Sequence, residues 1–352
     1  MTKTEPETKP ETEPRIETPY TNADDAPWRA RLASAVLGPP ARHGGLCLYP
    51  LLGDEGGAAP YLLLDAALAA GTLTIEEADG GGTVPALVLT NTGDARVLLL
   101  DGEELVGAKQ NRIVNTSVLV GAHSRLSLPV TCVEAGRWRQ ESERFSSGRS
   151  HYNARGRQKK VAEVSASLAR SGRAEADQSR VWSDIGGKLA RLSVASETSA
   201  LHDVARSYGT DLAGYAEALA TPRPRQVGAA FALGRELVGV DLFDRADTLA
   251  TVLPKLVASY ALDALEEATA DAPPPPAAVA AWLQALASAA PTPRGAVGLG
   301  VDVRLSAPRL SGAALEFEGT CLHLSAFAVS GHGGPDAPAP PSRLARPSQR
   351  RG

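Results

Sequence analysis

The polar residues best suited to bind a planar or phosphate-bearing ligand lie in one short segment. In "GAKQNRIVNTSVLV", residues 107–120, an amine, two amides and a guanidinium precede an apolar alternation that is typical of a strand. A guanidinium binds carboxylate or phosphate through two parallel hydrogen bonds, and amides suit the polar edges of a planar group. The predicted ligand-binding residues of this segment are Lys109, Gln110, Asn111, Arg112 and Asn115.

Glu134 is the first candidate for a catalytic base beside this segment. Strand alternation in "RLSLPVTCVE", residues 125–134, places it at the end of an inward-facing apolar row, where an unpaired carboxylate is costly. If "GAHS" forms the turn of a hairpin, residues 111–113 come to lie near residues 131–134. We therefore expect Arg112 to pair with Glu134.

Three further residues complete the predicted site. Glu103 follows Gly102 after an apolar strand, and we prefer it over Glu104 as a second catalytic candidate, because adjacent strand residues face opposite sides. Asp241 ends a strand before a helix, and Trp138 lies in the segment that follows the first candidate base. Both are predicted to contact the ligand. The same residues also suit a structural ion-pair network, and the sequence leaves that choice open.

A basic segment follows the candidate site in the chain. Residues 135–173 contain ten lysines and arginines against three glutamates, although the whole chain has a formal net charge of −4. Residues 139–157 show no periodicity and exceed the usual limit for a structureless loop, which is about 12 to 15 residues. They are predicted to form either a lid that orders over an anionic ligand or a mobile solvated loop. In the first case their aromatic residues are available to stack on a base.

The periodicity of the chain predicts an α+β fold in a single domain over residues 26–332. Short apolar runs between turns in residues 46–134 indicate strands of a largely antiparallel β layer or sandwich, and residues 157–220 have helical spacing. A hairpin, a long helix and two last strands follow within residues 226–330. Pro254 is expected in the first turn of the long helix, because proline removes a hydrogen bond elsewhere.

Composition and charge exclude several classes of protein. The 43% hydrophobic and 22% charged residues are ordinary for a globular protein, whereas residues 1–25 and the basic residues 333–352 are predicted to be disordered tails. Three cysteines without CxxC spacing predict neither a disulfide framework nor a metal site, and no motif predicts a cofactor. The chain shows no signal or membrane segment, which predicts a cytoplasmic protein. Its net negative charge disfavours nucleic acid as a partner, and the oligomeric state stays open.

Two stretches of the sequence resemble a known family. The first is "GEELVGAKQNRIVNTSVLV…LPVTCVEAGRW", and the second is "LVGVDLF…LPKLVASYALDAL". Together with "SRVWSDIGGKLARL" and "LHLSAF", they make roughly residues 39–328 similar to a bacterial family, the ADP-ribosylglycohydrolase and rhodanese-phosphatase-superfamily-associated protein domain. The resemblance implies an association with ADP-ribose, NAD-derived nucleotide or phosphate chemistry, and it assigns no catalytic residue.

These observations lead to two hypotheses of different classes. In the first, the chain binds a small anionic or nucleotide-like ligand, with or without hydrolysis, through Arg112 and the basic segment, while Glu103 or Glu134 acts as the base. In the second, it is a noncatalytic interaction or regulatory protein that docks a partner protein or RNA through residues 137–173. An open pocket that contains Gln110, Arg112 and Glu134 would favour the first, and their burial would favour the second.

Overall fold

The structure is a computed structural model of the chain, and it describes residues 25–54, 61–78, 86–137, 139–266 and 271–329. These residues combine helices with sheets in which all strand pairs but one are antiparallel, so the predicted α+β class is confirmed. The predicted disordered tails lie outside the described residues, except for Asp25, and Trp138 lies outside them as well.

The helices and strands alternate unevenly along the chain. The helices are α1 (Pro27–Ser34), α2 (Leu64–Ala69), α3 (Ala154–Ser171), α4 (Gln178–Arg191), α5 (Leu201–Ser207), α6 (Gly209–Leu219), α7 (Ala246–Ala264) and α8 (Pro276–Ala287). The first strands are β1 (Val36–Leu37), β2 (Ala41–His43), β3 (Leu46–Leu52), β4 (Tyr61–Leu63), β5 (Leu73–Glu77), β6 (Ala86–Asn91), β7 (Arg96–Leu99), β8 (Glu103–Gly107) and β9 (Arg112–Val114). The later strands are β10 (Val118–Val120), β11 (Ser124–Cys132), β12 (Phe145–His151), β13 (Gln226–Leu233), β14 (Glu236–Phe243), β15 (Ala290–Gly295), β16 (Val301–Ala307), β17 (Leu310–Phe317) and β18 (Thr320–Ala328).

A nine-stranded sheet forms the centre of the fold. Its order is β1-β3-β13-β14-β18-β17-β16-β15, and β2 pairs with β3 beside this path. The sequence analysis grouped residues 46–52 with the strands that follow them, but β3 pairs with β13, which comes much later in the chain. The run "LCLYPLL" is buried on both faces. Such a run suits an interior strand that is covered on both sides.

The two faces of the nine-stranded sheet pack against different helices. Leu46 and Leu48 belong to the core that contains residues of α3 and α7. Cys47, Tyr49 and Leu51 alternate with them and belong to the core that contains residues of α1 and α8. The period of two in a strand therefore divides one apolar run between two hydrophobic layers.

Two smaller sheets share a third hydrophobic core. Their strand orders are β10-β7-β4 and β12-β8-β9-β11-β6-β5. The predicted register of the candidate site is observed, because β9 pairs with β11 and opposes Thr131 to Ile113 and Cys132 to Arg112. The predicted simple hairpin is wrong, since Val118–Val120 pairs with β7 in the other sheet.

The segment predicted to be a lid or a mobile loop is part of the fold. Within residues 139–157 the chain forms β12, which pairs with β8, and then enters α3. Phe145, His151 and Tyr152 are buried, so they are not available to stack on a base. The pattern "FSSGRSH" has little strand propensity, and it becomes a strand because β8 offers it an open edge for hydrogen bonding.

The proline of the long helix α7 does not lie at its predicted position. Pro254 lies in its interior rather than in its first turn. The residue is exposed, whereas its neighbour Leu253 is fully buried. Packing of the apolar face therefore maintains the helix despite the missing backbone hydrogen bond. Among the described residues, no helix combines the length and apolarity that a membrane crossing needs.

Candidate functional site

The predicted polar segment folds into a closed group that we call the Glu134 network, consisting of Gln110, Asn111, Glu134 and Arg137. The Asn111 N–H donates to Glu134 Oε2 over 3.0 Å. The Gln110 side chain donates to the Glu134 carbonyl over 3.0 Å. All four residues are buried. The expected proximity of the first three is observed, and their burial favours a structural role.

Arg112 does not form the expected ion pair with Glu134. It lies 3.5 Å from Glu77 Oε1, whereas Arg137 lies 2.7 Å from Glu134 Oε2. Arg137 follows Glu134 by three residues and reaches it locally through Nη2, which also donates to Asn111 Oδ1, while Nη1 donates to the Ala108 carbonyl. Burial alone would raise the pKa of Glu134, but Arg137 and the backbone N–H hold it below its usual value.

The other predicted site residues lie outside the Glu134 network. The Asn115 side chain donates to the Ala174 carbonyl over 2.8 Å and accepts from the Thr131 hydroxyl over 2.7 Å. It therefore ties β11 to the segment between α3 and α4. Lys109 is exposed, and the predicted contact of Trp138 with a ligand concerns a residue outside those described. Glu103 and Asp241 belong to a different group.

This second group of polar side chains lies between the nine-stranded sheet, α3, α7 and β8, and we call it the charge cluster. Its members are Asp101, Glu103, His151, Arg157, Lys160, Asp241, Lys255, Tyr260 and His323. All of them except Lys255 are buried. Three carboxylates and two side-chain cations are therefore buried together, and a third cation, Lys255, lies at their edge. Charges persist in the interior only if they are paired.

Arg157 and Asp241 form the centre of the charge cluster. The guanidinium donates two hydrogen bonds to the carboxylate, at 3.1 Å and 2.6 Å. The Tyr260 hydroxyl donates a third, at 3.1 Å. Burial alone would raise the pKa of Asp241, but Arg157 and His323 hold it well below its usual range. Asp241 is therefore a permanent anion that holds the guanidinium in place.

A glycine turn beside Arg157 separates two of the carboxylates, Asp101 and Glu103. Gly102 has a φ of 87°, and a Cβ at this position would lie 3.0 Å from the Arg157 side chain. Before the turn, Asp101 accepts a hydrogen bond from Lys160. After the turn, Glu103 points away from that pair toward α7. Only glycine combines this backbone conformation with so close an approach.

His323 connects the glycine turn with Asp241. The Asp101 N–H donates to Ser117 Oγ over 3.0 Å, and Ser117 Oγ lies 2.8 Å from His323 Nδ1. The other ring nitrogen lies 3.3 Å from Asp241 Oδ1. Burial lowers the pKa of His323, so the ring is neutral near neutral pH. The carboxylate therefore selects the tautomer with hydrogen on Nε2, and Nδ1 accepts from the serine hydroxyl.

Lys255 connects the charge cluster with solvent, and with Asp65 and Ser147 it forms what we call the mouth. Its ammonium lies 2.8 Å from Asp65 Oδ2, 3.2 Å from Ser147 Oγ and 3.6 Å from Glu103 Oε1. The side chain of Asp65 is 47% exposed and that of Lys255 is 13% exposed. Glu103 thus lies directly beneath a cation that solvent reaches.

Glu103 has the properties of a group that exchanges protons near neutral pH. Burial raises its pKa to about 6, against the opposing effect of the Lys255 ammonium. Its Oε2 accepts the Leu100 N–H over 2.8 Å. Its Oε1 faces Lys255 and lies 3.9 Å from His151 Nε2. A general base or acid works best when its pKa is close to the working pH.

Three side chains of the charge cluster keep polar atoms without a hydrogen-bond partner among the described residues. These atoms are Oδ2 of Asp101, both ring nitrogens of His151 and Nε of Arg157. Burial, together with Arg157 and Lys255, keeps the pKa of His151 well below its usual value, so its ring is neutral. Unpaired buried polar atoms are rare in folded proteins, and they are typical of sites that bind water or a ligand.

Most of the charge cluster was not predicted from the sequence. Arg157 and Lys160 were counted in a basic segment, yet they lie on the same face of α3 as Val161 and Val164. Two cations within an apolar helical stripe signal buried counterions, and this spacing was readable in the sequence. No comparable signal marked His151, His323 or Lys255, because their partners are remote in the chain.

The part of the chain that the structure describes contains no group of three or more His, Cys, Asp or Glu side chains that could hold a metal ion. A comparison with family models gives one match, the ARG and Rhodanese-Phosphatase-superfamily-associated Protein domain, over residues 34–327. The resemblance noted in the sequence is thereby confirmed. No curated protein and no solved structure matches the chain.

Proposed function

The chain belongs to this family, and from that premise we propose that it binds a small nucleotide-like or phosphate-bearing molecule at the mouth of the charge cluster and hydrolyses it. The observation that carries the proposal is the position of Glu103, a buried carboxyl whose pKa is about 6, beneath the partly exposed ammonium of Lys255. The family description names a phosphatase superfamily among its associations, which fits the same ligand chemistry.

Lys255 is the ligand-binding cation of this proposal. Its pair with Asp65 is partly exposed, so solvent weakens the attraction between the two charges. An anionic group of the ligand replaces Asp65 as the partner of Lys255. Ser147 Oγ, which already lies 3.2 Å from the ammonium, then donates a hydrogen bond to the same anion.

Glu103 is the general base of this proposal. With a pKa of about 6, it is mostly ionised at neutral pH and still basic enough to accept a proton from water. His151 is neutral and has unpaired ring nitrogens beside Glu103, so it can hydrogen-bond that water. Arg157 and Asp241 fix the floor of the site and do not take part in proton transfer.

Thermal unfolding with and without ligand tests the binding step. ADP-ribose, NAD and simple nucleotides are each added to the protein at increasing concentration. A ligand at one hundred times its dissociation constant stabilises the folded state by about 2.7 kcal/mol. At least one of these compounds is expected to raise the unfolding temperature, and Lys255→Met should abolish the shift. If none of them stabilises the protein, the proposed ligand class is wrong.

Product formation from the stabilising compound tests the hydrolytic step. Glu103→Gln keeps the shape of the side chain and removes its basicity, so we expect it to slow hydrolysis by about 100-fold or more while binding persists. Glu104→Gln is the matched control, because Glu104 is a buried carboxylate on the opposite face of the same strand. Equal rates in the two variants would remove Glu103 from the mechanism.

The structure bears on the noncatalytic alternative in two opposite ways. The burial of Gln110 and Glu134 favours it, because an open pocket at these residues was the observation expected for a ligand-binding site. The charge of the basic segment, in contrast, gives the noncatalytic alternative less support. It relied on the positive charge of residues 137–173, but three of these cations, Arg137, Arg157 and Lys160, are buried against carboxylates. The segment therefore presents fewer charges to a partner protein or RNA than its sequence indicates.

A cytoplasmic location is part of the same proposal. Cys47, Cys132 and Cys321 are buried free thiols. Unpaired cysteines are typical of proteins that work in a reducing compartment.

A further inference from the structure

A groove whose lining residues do not belong to the charge cluster lies at the end of the nine-stranded sheet. It has a volume of about 490 Å³. Its walls are the start of β14, one side of α8, the turn between β16 and β17, and the end of β18. The half-buried Trp282 is the aromatic side chain among its lining residues, and Leu237 and Pro308 also line it. One carboxylate, Glu236, and one guanidinium, Arg309, stand at its rim and are exposed.

The described chain ends inside this groove. Ala328 and Val329 are among its lining residues, and Val329 is the last residue that the structure describes. The Val329 N–H donates to the Arg309 carbonyl over 2.8 Å, which fixes the exit of the chain at the groove wall. The next 23 residues, 330–352, therefore start within reach of Trp282 at a high effective concentration.

The sequence beyond Val329 has the spacing of a groove-binding peptide. Every third residue is apolar in "PDAPAPPSRLARP", residues 335–347. These positions are Pro335, Pro338, Pro341, Leu344 and Pro347. A polyproline II helix has three residues per turn, so the five side chains would share one side of it. Proline-rich peptides of this kind bind aromatic-lined grooves because little conformational entropy is lost on binding.

The charges of the two surfaces are complementary. The tail carries Asp336 near its start and Arg343 further along, and the groove presents a guanidinium and a carboxylate, Arg309 and Glu236. Arg309 lies beside the exit of the chain, where the acidic residue of the tail comes first. The glycine-rich spacer "SGHGG", residues 330–334, allows the chain to reverse its direction before the proline repeat begins.

We propose that the Trp282 groove is a binding site for a proline-rich peptide, and that its occupant is residues 335–347 of the same chain. The apolar side of the repeat lies on Trp282 and Pro308, and the arginines of the tail lie toward Glu236. The site is independent of the charge cluster, and it would stand if the proposed hydrolysis failed.

Limited digestion of the full chain with trypsin tests this proposal. Cleavage after Arg343 requires an accessible tail, and the rate of such cleavage follows the population of the open form. We expect Trp282→Ala to change the tail from mostly bound to mostly free. Cleavage after Arg343 should therefore become faster by about tenfold. Cleavage after Arg350, beyond the repeat, is the internal control and should change little.

A variant in the tail keeps the test valid if Trp282→Ala disturbs the fold. Pro338→Ser together with Pro341→Ser leaves the groove intact and should accelerate cleavage after Arg343 by a similar factor. Equal cleavage rates in the unaltered protein and the double tail variant would overturn the proposal. Protection that increases with protein concentration would also overturn it, because the occupant would then be the tail of a second copy.

Discussion

The Glu134 network and the charge cluster contain the same kinds of residue and differ in how completely they are paired. In the Glu134 network, the carboxylate accepts from Arg137 and from the Asn111 N–H, and its four residues have no unpaired buried side-chain atom among those described. In the charge cluster, His151 has no hydrogen-bond partner and the pKa of Glu103 is raised to about 6. Residue type therefore does not separate the two groups. Unpaired polar atoms and a pKa raised toward neutrality make the charge cluster the better candidate for a functional site.

The largest difference in stability is expected at the centre of the charge cluster. Arg157→Met leaves Asp241 buried without its main counterion, so the free energy of unfolding should fall by about 3–5 kcal/mol. Urea unfolding measures this value. The double variant Arg157→Met with Asp241→Leu removes both charges and should recover most of the loss. A double variant as unstable as the single one would contradict the pairing.

A smaller loss is expected in the Glu134 network. Arg137→Met removes charged hydrogen bonds but leaves the Asn111 N–H on Glu134, so we expect a loss of about 1.5–3 kcal/mol in urea unfolding. The proposed hydrolysis does not involve this network, so its rate per folded molecule should not change. A slower rate of hydrolysis in a fully folded variant would indicate that the network belongs to the functional site.

Glu103 and Glu134 should change the stability of the protein in opposite directions as the pH rises. The pKa of Glu103 rises from 4.5 to about 6 on folding, so the protein loses stability as the pH rises through that interval. Above it, Glu103→Gln should be more stable than the unaltered protein by about 2 kcal/mol. Glu134 behaves in the opposite way, because its pKa is lowered. Glu134→Gln should be less stable at neutral pH, with a difference that disappears as the pH falls.

Urea unfolding of both variants at a series of pH values measures these two dependences. The series should run from about pH 3 to about pH 7.5, so that it covers values well below and above ordinary glutamate titration, about pH 4.3. If both variants change the free energy of unfolding in the same direction at neutral pH, the contrast between Glu134, a paired carboxylate, and Glu103, a poorly paired one, is contradicted.

The smallest expected effect is a change in the pKa of His202, which lies beside Glu104 on the other face of β8. Its carboxylate accepts from the Ser150 hydroxyl and lies 3.6 Å from His202 Nδ1. The contact with Glu104 raises the pKa of His202. Glu104→Gln should therefore return that pKa toward its ordinary value, which a titration followed by NMR would show. An unchanged pKa would mean that His202 does not contact Glu104 in solution.

Local patterns predicted several features of the site correctly. The alternation in residues 112–132 gave the register of β9 against β11 to within the expected error. The glycine turn at Gly102 was also found, with carboxylates on either side of it. These features depend on neighbours in the chain, and periodicity reports on such neighbours directly.

The pairing of charges was not predictable in the same way. Glu134 was assigned to Arg112 across the strands, although Arg137 lies three residues away in sequence and reaches it. The pairing was predicted wrongly because it relied on the strand register alone. The local turn, which brings the Arg137 side chain back to Glu134, was not considered. Arg157 and Asp241 are far apart in the chain, and nothing in the spacing of either one indicates the other.

The sequence by itself determined the α+β class and the family to which the chain belongs. These properties follow from hydrophobic periodicity, turn residues and ordered motifs, all of which are local. Only the tertiary structure decided which polar groups are paired and which are left open. Burial, distance and pKa depend on elements such as β8, β14, α3 and α7 meeting in space, and the chain brings them together only when it folds.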